Sequence, residues 1–180
     1  MREIYSGKLN LSEALRRIEG LYKPYHAALN DLMDRARQQF GVAVLIDCHS
    51  MPSIVARDPG AGSRSEKRRV DFVIGDRFGA SCDTGFVDTI EQRLRGFGYN
   101  VHRNRPYAGG FITEHYGRPG AGWHAVQIEV GRSLYMNEGT LEPNERFDAV
   151  ASHLGAALAE LARDIPLGGA NAQASRAAAE

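Results

Sequence analysis

Val42-Ala43-Val44-Leu45-Ile46 is a run of five apolar residues, three of them β-branched, that closes on Asp47-Cys48-His49-Ser50. A run of this kind fits a strand covered on both faces, as in the parallel sheet of an α/β domain. It also puts an acid and a histidine at the carboxyl end of the strand, where open α/β sheets hold their ligands. Asp47 and His49 are two residues apart, so their side chains share one face, whereas Cys48 points to the other. Cys48 and His49 therefore do not form a nucleophile–base pair, and Cys48 reads as a small buried residue.

A second strand of the same kind is His124-Ala125-Val126-Gln127-Ile128-Glu129-Val130, followed by Gly131-Arg132. A carboxylate inside an apolar strand is costly to bury unless it is paired or handles protons. Two readings of Glu129 stay open on this ground: an ion pair with Arg132 or Arg118, or a catalytic base. A histidine at one strand end and a glutamate at another also suit metal-assisted hydrolysis, in which a cation polarises a carbonyl while the carboxylate activates water.

The chain has 180 residues, enough for one domain with a sizeable core. Lys plus Arg and Asp plus Glu number 22 each, so no basic field for nucleic acid or an anionic membrane follows. The longest apolar runs fall far short of a membrane span, and Met1-Arg2-Glu3 is not the start of a signal peptide. Two cysteines, Cys48 and Cys82, make no disulfide framework, and a reducing cytoplasm is the default expectation.

Residues 11–40 carry apolar side chains at spacings of three and four, from Leu11, Leu15 and Ile18 to Leu32, Met33 and Phe40. The pattern predicts one long amphipathic helix that starts near Ser12-Glu13 and stops at Gly41, with a kink at Tyr22-Lys23 ahead of Pro24. Residues 51–69 read as a basic loop. A short strand at 71–75, a helix from Asp83 to Arg95 and a strand from Tyr99 follow. Residues 103–122 read as a long glycine-rich loop and about 143–163 as the last helix. The tail from Pro166 to Glu180 is Gly/Ala/Ser-rich and is expected to be disordered, which leaves 1–165 as the domain. This order of elements predicts a layered α/β fold.

Several of these segments together resemble the N-formylglutamate amidohydrolase (N-formylglutamate deformylase) family. They are Leu21-Tyr22-Lys23-Pro24-Tyr25-His26, Asp47-Cys48-His49-Ser50, Asp71-Phe72-Val73-Ile74-Gly75-Asp76 and Gly79-Ala80-Ser81-Cys82. The likeness continues through Asn104 to Thr113, His115-Tyr116-Gly117-Arg118-Pro119 and His124 to Met136. The resemblance implies a zinc-carboxypeptidase-like lineage and a three-layer, phosphorylase/hydrolase-like α/β fold with a mixed, largely parallel sheet. It implies His49 as a zinc ligand, Glu129 as the catalytic carboxylate, and hydrolysis of the amide bond of an N-formyl or N-acyl amino acid, N-formylglutamate above all. Arg57, Arg105 and Arg118 become candidates to meet the substrate's carboxylates, because a guanidinium matches a carboxylate fork. Asp47 is then a group that orients the ligand histidine or a weak ligand itself, while His115 and His124 read first as packed residues and next as proton-relay or substrate contacts.

Members of that family carry a further N-terminal segment with a first zinc histidine, an acidic zinc ligand and an asparagine–arginine substrate motif. Nothing in residues 1–25 resembles it, and His26 on the long helix is not a convincing replacement. The expectation is therefore the C-terminal part of such an enzyme, without its first strands and with an incomplete zinc site. A catalytically silent remnant or binding module of the same fold, or a related amidase, is the alternative. A missing strand would expose a sheet edge and invite self-association.

Overall fold

The computed structural model describes residue 5, residues 7–53 and residues 69–165. Arg57 and the tail from residue 166 lie outside the described residues. Four strands form one sheet in the order β1-β4-β2-β3: β1 Ala43–Met51, β2 Phe72–Gly75, β3 Val101–Arg103 and β4 Trp123–Gly131. β1 runs parallel to β4, β2 runs antiparallel to β4, and β3 runs parallel to β2. The sheet is mixed, with two parallel pairings about one antiparallel junction, as expected.

Alternation along the strands sorts their side chains to two faces. Phe72, Ile74, Val126 and Ile128 point to one face, where they pack with Val87, Ile90 and Leu94 of α3 (Thr84–Gly96) and Val150, Ala157 and Leu161 of α5 (Phe147–Asp164). Ala43, Leu45, Trp123 and Ala125 point to the other, against Met33 of α2 (Lys23–Phe40) and Tyr116 of α4 (Phe111–Tyr116). Helices on both faces of one sheet make three layers. Each fully buried large apolar side chain contributes roughly 1.5–3 kcal/mol.

The long helix expected at 11–40 is present in three pieces. α1 (Leu11–Arg17) is capped by Asn10, whose side chain accepts the Glu13 N–H, so the start lies at Asn10 rather than Ser12. A π-helical turn, Ile18–Tyr22, follows and leads into α2. There the Lys23 N–H reaches back to the Ile18 carbonyl, and Pro24 sits in the first turn of α2, where its missing N–H costs least. The expected break takes the form of a widened turn. Gly41 ends α2 at φ 81°.

Two expectations are corrected. Residues 103–122 are not a continuous loop, because they contain α4 and a 3-10 turn at Pro119–Ala121. Cys48 is exposed rather than buried, and β1, which carries it, is an edge strand among the described residues. The stripe on α1 and α2 is mostly at the surface: Leu11, Leu15, Ile18, Leu21, Tyr22, Tyr25 and Leu32 are exposed, and only Met33 is buried.

Candidate active site

The parallel register of β1 and β4 sets His49 directly opposite Glu129 and Asp47 directly opposite Gln127. Directly opposed residues share a face, so all four side chains meet on the α2 side of the sheet, at its carboxyl end. Val73 and Gly75 of β2 are the next neighbours of Glu129 and Gln127. His49 Nδ1 is 3.8 Å from Glu129 Oε1, and His49 Nε2 is 3.1 Å from Asp47 Oδ1. The imidazole thus stands between two carboxylates, and Asp47 is placed to orient it.

Glu129 is 6% exposed. Its Oε1 accepts a hydrogen bond from Gln127 Nε2 at 2.8 Å, while its Oε2 is buried without a partner among the described residues. Burial pushes the Glu129 carboxyl above its ordinary range, and the neighbouring His49 and the Gln127 N–H act against that push. Neither arginine considered as an ion-pair partner neutralises it. Arg132 donates instead to Ser50 Oγ at 3.1 Å, and its charge is only a minor pull on Glu129. The Arg118 guanidinium lies 4.6 Å over the Trp123 ring. Trp123 starts β4, so this stack is about 20 Å from Glu129 at the rise of a strand.

The segment between β3 and α4 forms the adjoining wall. Asn104, at φ 58°, donates to Asp76 Oδ1 at 2.6 Å and accepts the Asp76 N–H at 3.1 Å, which ties the segment to the end of β2. Tyr107 packs on Met51, Val70 and Val73, and Val73 is the β2 neighbour of Glu129. Gly110, the N-cap of α4, donates its N–H to Gln127 Oε1 at 2.8 Å. Gly75 makes this close approach feasible, because a Cβ there would stand 2.6 Å from the Gly109 nitrogen and 2.7 Å from the Ala108 carbonyl carbon. Arg105 is on this segment and exposed, with no carboxylate partner among the described residues. A small apolar hollow of about 150 Å³ lies between His49, Val130, Tyr135 and α5.

The structure brings His49 and Glu129 together and leaves Arg118 at the opposite end of the sheet. His115 stacks on Phe111, and His26 Nδ1 is 2.6 Å from Tyr116 Oη, so both belong to the packing of α2 on α4. His124 faces the other layer, where its Nδ1 accepts the Asp83 N–H at 3.0 Å. The sequence reading passed over Gln127 and Tyr107. Gln127 was accessible from spacing, being two residues before Glu129 on an alternating strand.

No group of three His, Cys, Asp or Glu side chains arranged to hold a metal ion is found among the described residues. The site offers three donors, the His49 imidazole and the Asp47 and Glu129 carboxylates that it already faces, and they are not arranged as the three-ligand set of a catalytic zinc.

Fold and site together define a three-layer α/β domain with an imidazole and a buried carboxylate paired across two parallel strands. The sequence model of the N-formylglutamate amidohydrolase family matches residues 1–136, and the chain belongs to that family. It is 38% identical over 131 residues to the N-formylglutamate deformylase of Pseudomonas putida, covering 70% of this chain and 45% of that protein. It is 35% identical over 127 residues to the N-formylglutamate deformylase of Pseudomonas aeruginosa, covering 70% and 46%. The crystal structure of N-formylglutamate amidohydrolase from Ralstonia eutropha JMP134 superimposes with a TM-score of 0.76 at 42% identity, covering 86% of this chain and 54% of that one. The chain spans about half the length of the relatives it matches.

Proposed function

We propose that this chain carries the proton-transfer part of a site that hydrolyses the amide bond of an N-formyl or N-acyl amino acid, with N-formylglutamate as the first substrate to test. The observation that carries the reading is Glu129 Oε2, buried and without a partner among the described residues, beside His49 across a parallel strand pair. Amide hydrolysis needs a base to take a proton from water and an acid to return it to the leaving nitrogen. A carboxylate whose proton affinity is raised by burial suits both steps. The substrate name comes from the relatives, which are N-formylglutamate deformylases.

Arg105 is the first candidate to hold a substrate carboxylate, because its guanidinium is not engaged by an acid among the described residues. Arg132, whose charge acts on Glu129, is the second, and Arg57 keeps the role that the resemblance implies. Arg118 would need a large displacement to reach the site. Zinc enters the proposal at one residue: His49 would supply one ligand, and when bound the ion would polarise the substrate carbonyl.

A silent binding module is the second reading, favoured by the lack of three donors arranged to hold a metal ion among the described residues. Formate release from N-formylglutamate, measured with and without added zinc, separates the two. Release that is abolished by Glu129→Gln supports the enzyme. A folded chain that releases no more formate than its Glu129→Gln variant under both conditions supports the module.

A further inference from the structure

Gln127 is 5% exposed and both ends of its amide are committed. Its Nε2 donates to Glu129 Oε1 and its Oε1 accepts the Gly110 N–H, each at 2.8 Å. One orientation of the amide satisfies both contacts. The flipped orientation would set N–H against N–H and oxygen against carboxylate, so the neighbours fix the assignment. Gly110 has no side chain to cap α4 and offers its own N–H to the sheet. The residues before it lie on Gly75, and Asn104 anchors the far end of the same segment.

We propose that Gln127 is a positioning residue that joins Glu129 to the 104–110 segment. By holding Oε1 it leaves Oε2 as the oxygen free for proton transfer. By receiving the Gly110 N–H it sets the segment bearing Arg105 and Tyr107 in register with that oxygen. A carboxylate polarises the amide bonded to it, and the polarised amide becomes a better acceptor at its other end. Glu129 and Gly110 are therefore linked through one side chain. The catalytic meaning rests on the hydrolysis proposed above, whereas the linkage does not.

The test uses the full chain labelled with ¹⁵N and follows the Gly110 amide above neutral pH. Glu129→Gln should move the Gly110 resonance in an otherwise unchanged chain. In a Gln127→Met background the same substitution should leave it in place, and the Gly110 N–H should exchange faster with solvent. A Gly110 resonance that ignores Glu129→Gln, or that still responds when Gln127 is replaced by Met, overturns the proposal. If the Met variant does not fold, Gln127→Glu keeps the volume and an acceptor for Gly110. The response to Glu129→Gln should then reverse direction, because the negative charge is concentrated on residue 127. An unchanged direction overturns the linkage. In a chain that turns over, Gln127→Met should lower kcat by about tenfold or more with a smaller change in KM. Linked resonances in a folded chain without turnover count against the hydrolysis and not the linkage. Turnover with unlinked resonances removes the positioning role alone.

Discussion

The two oxygens of Glu129 stand in different situations, one hydrogen-bonded to Gln127 and the other buried without a partner among the described residues. Glu129→Gln keeps the shape and removes the basic oxygen. It should lower hydrolysis by about 10²–10⁴-fold, as measured by formate release. The melting midpoint should shift by less than about 4 °C, roughly 1 kcal/mol for a chain of this size. Unfolding would instead make the carboxylate structural. His124 gives a second prediction. Its Nδ1 must be unprotonated to accept the Asp83 N–H at the start of α3, and burial, opposed by Asp83, lowers its proton affinity below the ordinary value of 6.5. The unfolded chain then takes up the proton first as pH falls. The His124 contribution is complete above that ordinary value and is lost as pH drops below it towards the folded value. His124→Asn retains an acceptor oxygen and cannot titrate. Urea unfolding compared at about pH 7 and about pH 5 should show a smaller loss in this variant than in the unchanged chain. An equal loss in both would assign the pH dependence to other groups.

At the scale of elements, alternation and apolar runs made the strands legible. The strands expected at 42–48 and 124–130 are β1 and β4, and their shared direction brings His49 beside Glu129. Two things were not legible. A helix of six residues, α4, is too short to leave a periodic signal among the glycines around it. The destination of an arginine also depends on its tertiary neighbours, so Arg118 could not be assigned to Trp123 from spacing. Gly75 shows how one element seats another. It reads in sequence as the end of a strand, and its function is to let the Ala108-Gly109 backbone lie on the sheet. Gly75→Ala forces that backbone away, and overpacking of this kind costs about 1–3 kcal/mol. The urea midpoint should fall accordingly, and the Gly110 N–H should lose protection as its bond to Gln127 opens. Unchanged exchange at Gly110 would mean that the segment is held by Asn104 alone.

Across the whole molecule, the apolar pattern of residues 11–40 identified a helix and left open what covers its apolar face. Periodicity reports that a face is apolar, and it does not name what covers it. Leu11 is 74% exposed and Leu21 68%, and a groove of about 560 Å³ runs past Arg17, Ile18, Leu21, Tyr22 and Tyr25. β1 adds an edge that is paired only on its β4 side among the described residues. Contiguous apolar surface and an open strand edge both favour association in water. Because these leucines make little contact with the core, replacing them with lysine should cost no more than about 0.5 kcal/mol. Leu11→Lys with Leu21→Lys should therefore leave the urea midpoint nearly unchanged and lower the concentration-dependent light scattering of the chain. A large fall in the midpoint would show that the face contributes to the core after all. Unaltered scattering with unaltered stability would move the source of association to the β1 edge, where a lysine at Val42, beside the first residue of the strand, is the next substitution to measure.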